Sequence, residues 1–123
     1  MTFLLDTHVL LWWLFGDSRL TREAIADPSS AVAVSAVTAW EIAIKAALGK
    51  LAVPDRLAQQ LHEEGFDELP VTAEDGVASG ALPRHHGDPF DRMLIAQAAR
   101  RRLVVVTADR RFIGRGRPPP QTT

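Results

Sequence analysis

No cysteine occurs among the 123 residues, which excludes disulfides and thiolate metal sites and leaves oxygen and imidazole as the available metal ligands. The composition suits a reducing compartment, and a cytoplasmic location is the expectation. Long apolar runs are also missing. The longest, Val9 to Phe15, is far below the ~18 residues needed to span a bilayer, so no membrane attachment is expected. A secretion signal is not expected either, because no basic region opens the chain and Asp6 and His8 interrupt its first apolar stretch. Net charge is nearly absent at -1, which argues against tight, non-specific binding of polyanions. That balance hides an asymmetry: residues 1–83 carry 5 basic and 12 acidic groups, and residues 84–123 carry 9 and 3. A basic end is either a polyanion footprint or a set of solvated helix faces, and the count alone favours the solvated faces.

What is present begins with Thr2-Phe3-Leu4-Leu5-Asp6-Thr7, an apolar run that stops on a carboxylate. A run without polar alternation reads as a strand covered on both faces, and such sheets are mostly parallel. Ligands of parallel α/β sheets bind beyond the carboxyl ends of the strands, where Asp6 falls. Taken alone, the stretch favours Asp6 as the N-cap of the helix that follows. With 46% hydrophobic residues, the chain is expected to form one domain over 1–113, followed by a disordered Arg/Pro-rich tail over 114–123.

The helix Val9 to Phe15 is apolar around its whole circumference, more than packing on one sheet face requires. Trp12, Trp13 and Phe15 are therefore expected at an interface with another chain. A second helix is expected over Thr21 to Ala26. Ala31 to Ser35 reads as the next strand, and Ser35 or Thr38 as the cap of a helix through Leu48 closed by Gly49. Within it, Thr38-x-x-Glu41 has the form of a capping box. Glu41 nevertheless stands among apolar residues, where an unpaired carboxylate is costly, and Lys45 one turn on is a candidate partner. Cap and site remain open for Glu41. Further on, a helix is expected over Asp55 to Glu64, an edge strand at Phe66 to Val71, and a helix from Thr72 to about Leu82. Asp88 followed by Pro89 marks a strong helix start. It leaves Asp91 in the first turn, on the face that carries Leu94, Ile95 and Ala98. Leu103 to Thr107 is a second buried strand running into Asp109.

Four acids, Asp6, Glu41, Asp91 and Asp109, thus fall at strand exits or early helix turns, all on one side of a parallel sheet. Crowded carboxylates oppose folding unless a cation joins them. Hard divalent ions want such oxygen ligands and keep positions open for phosphate and water.

The pieces Leu4-Leu5-Asp6-Thr7-His8, Ser35 to Ile42, Asp88-Pro89-Phe90-Asp91-Arg92 and Val106-Thr107-Ala108-Asp109 resemble, in order and spacing, the PIN-domain ribonucleases and their VapC-type toxins. The resemblance covers residues 2 to 113. It implies a three-layer α/β/α fold with a mostly parallel sheet and a catalytic metal site of Asp6, Glu41, Asp91 and Asp109, supported by Thr107 and Arg92. It implies Mg²⁺, with Mn²⁺ as the alternative, an RNA substrate cut to 5′-phosphate and 3′-hydroxyl ends, a VapB-type antitoxin and a homodimer. Arg84, Arg100 and Arg110 are candidates to hold RNA around the acidic pit. The tryptophans can stack bases, but their apolar neighbours favour core or interface roles. A receiver domain is disfavoured because no acidic pair follows the first strand and no lysine follows Lys50. A haloacid-dehalogenase phosphatase would need a second aspartate after Asp6-Thr7, and a non-catalytic PIN-like binding module would not need all four acids.

Overall fold

Leu4 and Leu5 are adjacent, and in a strand adjacent side chains face opposite ways; both are fully buried. The sheet is therefore covered on both sides. In this computed structural model, which describes residues 2–15, 30–83 and 87–107, strands β1 (Thr2–Leu5), β2 (Ala31–Ser35), β3 (Asp67–Leu69) and β4 (Val104–Val106) form one sheet in the order β3-β2-β1-β4. All neighbouring pairs are parallel. The helices are α1 (Thr7–Leu14), α2 (Ala36–Ala47), α3 (Leu57–Glu63), α4 (Ala73–Gly80) and α5 (Pro89–Arg101).

Two cores result from the period-two alternation of the strands. Leu4, Ala33 and Val105 pack with Val37 of α2 and with Leu94 and Ala98 of α5 on one face. Leu5, Val34 and Val106 pack on the other with Val9 and Leu10 of α1, Ile42 of α2 and Leu61 of α3. Burying each such side chain is worth ~1.5–3 kcal/mol. This is the α/β/α arrangement expected from the continuous apolar strands. The edge strand forms over Asp67–Leu69, with its two acids exposed to solvent.

Several boundaries differ from expectation for local reasons. Of the two expected caps, Ser35, the last residue of β2, is the one used: it accepts from the Val37 N–H, and α2 begins at Ala36, two residues ahead of Thr38. The expected Thr38/Glu41 capping box does not form, and the fully buried Thr38 Oγ1 has no hydrogen-bond partner among the described residues. α3 begins at Leu57, after Arg56, which makes no side-chain cap. The expected helix over Thr21 to Ala26 and the tail 114–123 lie outside the described residues.

Asp75 is the acid whose importance the sequence hid. It completes a capping box with Thr72 at the start of α4, and it is also fully buried. Its carboxylate accepts from Gln97 Nε2 (3.1 Å), from Arg100, and from both terminal nitrogens of Arg101 (2.7 and 3.0 Å). Burial pushes its pKa up. The Arg101 guanidinium, the Thr72 N–H, Gln97 and Arg100 outweigh that and hold it well below the usual carboxylate range. The network clamps α4 to the C-terminal end of α5.

Because the folded pKa is depressed, this contribution is complete above the unfolded carboxyl value of ~4 and is lost progressively as pH falls below it. Asp75→Asn is expected to cost about 2 kcal/mol in urea unfolding at pH 7, below the full cost of breaking a buried pair because both arginines are partly solvated. The same variant should lose stability less steeply than wild type between pH 5 and the acid limit. An Asp75→Asn protein as stable as wild type would remove the clamp.

Candidate active site

Because the sheet is parallel, β1, β2 and β4 all end at one edge. The register pairs Leu5 with Val106, so the residues that follow, Asp6 and Thr107, lie side by side there. The Asp6 N–H donates to the Val106 carbonyl (3.1 Å). The Asp6 side chain caps α1, Oδ1 accepting from the Val9 N–H (2.8 Å), and its Oδ2 accepts from Thr107 Oγ1 (2.5 Å). The cap thus uses one carboxylate oxygen of Asp6, and the other meets Thr107 at the strand exits.

Thr7 extends the cluster to the next strand's exit. Its Oγ1 donates to Glu41 Oε1 (2.6 Å), and Lys45 Nζ donates to Glu41 Oε2 (2.6 Å). Asp6 and Glu41 are buried, at 4% and 5% exposure, whereas the Lys45 side chain is 40% exposed. The Glu41 carboxylate raises the Lys45 pKa above its ordinary value; partial burial opposes this, and the fields of Asp88 and Asp91 add to it. Lys45 therefore stands where the charges of Glu41 and of the first turn of α5 converge. Asp88 caps α5 through the Phe90 and Asp91 N–H groups, leaving Asp91, half-buried, out of the cap.

Among the described residues, no three acids or imidazoles stand close enough to hold a metal ion between them. Asp109, Arg84 and Arg110 lie outside the described residues.

The sequence model of the PIN domain matches residues 3–117. The chain belongs to the PIN-domain family. It is 32% identical to Ribonuclease VapC22 of Mycobacterium tuberculosis (strain ATCC 25618 / H37Rv), an alignment that covers 98% of this chain and 97% of that protein, and this makes it a VapC-type member. Its fold is shared by a toxin–antitoxin complex from Klebsiella pneumoniae, with a TM-score of 0.67 at 21% identity over 97% of this chain and 95% of that one. It is shared also by DNA-bound VapBC from Salmonella typhimurium, with a TM-score of 0.65 at 22% identity over 88% and 86%.

In this PIN domain the remaining site candidates are dispersed. Arg92 donates from its guanidinium to the carbonyls of Ser79 and Leu82, at the C-terminal end of α4, and to that of Pro83 just beyond (2.9–3.0 Å). It closes orphan acceptors there and so fixes where α5 begins, with Asp91 beside it in sequence. Arg100, a candidate RNA contact, pairs with Asp75. Trp12 packs against the α1/α3 core. Trp13 meets Phe66 edge-on at 5.4 Å and donates from Nε1 to Glu64 (2.9 Å). Much of the apolar circumference of α1 is thus covered within the chain, and Phe15, 59% exposed, remains outside. The hydroxyl of Thr7 was missed in the sequence, its only signal being its place directly after Asp6 at a strand exit.

Lys45→Met and Glu41→Gln, made singly and together, should show a coupling of about 0.5–1 kcal/mol in unfolding free energy at pH 7, as a half-solvated pair allows. Since the folded Lys45 pKa is raised, the coupling is present below the ordinary lysine value of 10.5 and lost as pH rises through the higher folded value. Additive single effects at pH 7 would show that the two side chains do not depend on each other.

Proposed function

We propose that this PIN domain is a metal-dependent endoribonuclease, the toxin of a VapBC-type toxin–antitoxin pair, acting at the sheet edge that carries Asp6, Glu41 and Asp91. The observation that carries the reading is the convergence of two buried carboxylates from distant segments at the strand exits: Asp6, held by Thr107, and Glu41, held by Lys45 and by Thr7, the residue next to Asp6. The mycobacterial relative is a ribonuclease by name, which supports the reaction class.

The residues fit a hard divalent cation. The donors are carboxylate oxygens, their charges are already concentrated enough to recruit an ammonium, and Mg²⁺ is usually held by only one or two carboxylates with water and phosphate completing its shell. One or two of Asp6, Glu41 and Asp91 would hold the ion, and Asp109 completes the acidic set. When bound, such an ion lowers the pKa of water and neutralises the attacked phosphate. The Val9 N–H and the Thr107 hydroxyl lock the Asp6 carboxylate in one orientation, and Thr7 does the same for Glu41. That preorganisation keeps the acids from reorienting as charge develops on the phosphate. Arg84 and Arg110, near the acids in sequence, would hold the RNA backbone.

The partner in this reading is a VapB-type antitoxin. The exposed Phe15 at the end of α1, with the partly exposed Trp12, offers an apolar contact for it or for a second copy of the chain.

Asp6→Asn keeps an Oδ1 acceptor for the Val9 N–H while removing the charge, so it should fold and yet cleave RNA at least ~100-fold more slowly. Excess EDTA should silence the wild type, and added Mg²⁺ should raise the melting temperature of wild type but not of Asp6→Asn. Undiminished cleavage in EDTA, with 5′-hydroxyl product ends, would sink the metal mechanism.

A further inference from the structure

Trp40 behaves unlike the other two tryptophans. It is 61% exposed, although an indole left in water forgoes ~1.5–3 kcal/mol of burial. Its ring does not dangle: it meets Phe90 edge-on, with centroids 5.4 Å apart and planes at 72°. Phe90 in turn packs against the core formed by Leu4, Val37 and Leu94. The pair bridges α2 to the first turn of α5. The two rings also belong to the residues that immediately precede Glu41 and Asp91, so the exposed aromatic surface adjoins the acidic edge. The half-exposed Lys45 ammonium pairs with Glu41 from one turn further along α2 and lies within the fields of Asp88 and Asp91 at the start of α5.

We propose that Trp40, braced by Phe90, is the stacking platform for an unpaired nucleobase of the substrate, next to the phosphate that the acids engage. This rests on the ribonuclease reading and adds to it the residue that would seat a base beside the reacting phosphate. A base inside a duplex has both faces covered by its neighbours, whereas an unpaired one offers a free π-face to an aromatic side chain. A rigid, preplaced indole loses little conformational freedom on binding. The ring pair supplies apolar area, Lys45 a cation for a flanking phosphate, and the acids the reaction edge, within two adjoining helical segments.

The test uses the inactive Asp6→Asn background and a fluorescently labelled single-stranded RNA, with anisotropy as the readout. Trp40→Ala should weaken binding about 5- to 150-fold, the range for one stacked base, and Trp40→Phe should recover most of it. Val77→Ala, at a still more exposed apolar site on α4, should change nothing, and a blunt RNA duplex should bind weakly and indifferently to Trp40. With Asp6 intact, Trp40→Ala should lose cleavage of the single strand in step with binding. Wild type that cleaves RNA while Trp40→Ala binds and cleaves within twofold of it overturns the platform alone. Loss of co-purified antitoxin or of self-association by Trp40→Ala, with RNA binding unchanged, also overturns it by reassigning the surface to a protein contact. Wild type that neither binds nor cleaves RNA overturns the ribonuclease reading itself.

Discussion

The position of β1 between β2 and β4 is the constraint on which the site depends. Parallel pairing sends every strand exit to the same edge, and the register of Leu5 with Val106 sets Asp6 beside Thr107. The chain runs outward from β1 through β2 to β3, then crosses back to place β4 on the other side of β1. Such a reversal of strand order marks, at the carboxyl ends of the strands, the usual ligand position in open parallel sheets. A slip of one residue in this register would exchange the core faces of Leu4 and Leu5 as well as move Asp6. The hydrophobic core and the polar edge therefore enforce each other.

Buried negative charge is handled in two ways, and the contrast separates architecture from chemistry. Asp75 accepts from five donors, two of its partners being arginines, and is sealed from water. No oxygen lone pair there needs anything further, and the group serves to hold α4 on α5. Glu41 has one hydroxyl and one ammonium, and that ammonium is half in solvent and shared with the fields of Asp88 and Asp91. Under the metal-dependent reading, that ammonium stands where a divalent cation would bind. The same logic applies to the aromatics: Trp13 is enclosed by Phe66 and Glu64, whereas Trp40 is held in place and left open.

Much of the fold was legible because strand and helix periodicities record which faces are buried. The apolar runs at Leu4-Leu5 and Val104 to Val106, the Asp88-Pro89 helix start and the Thr72/Asp75 box each depend on neighbours within a few residues. The grouping of the acids at one sheet edge followed from the strand exits and helix starts, and the family resemblance added the choice of site over cap that the residues left open at Asp6 and Glu41.

What the sequence by itself determined was local: a continuously apolar, parallel-sheet α/β domain with acids at its strand exits, since capping, turn chemistry and burial pattern act over short separations. Tertiary structure decided the partners. Thr7 reaches Glu41 across 34 positions, and Asp75 reaches Arg100 across 25. Such pairings depend on how strands are ordered and which helices they bring together, and periodicity carries no record of that. Glu41 was freed from capping because Ser35, at the end of β2, started α2 one turn early. Arg100 and Arg92 went to Asp75 and to the end of α4 because those sites were within reach of α5 and lacked charge or donors.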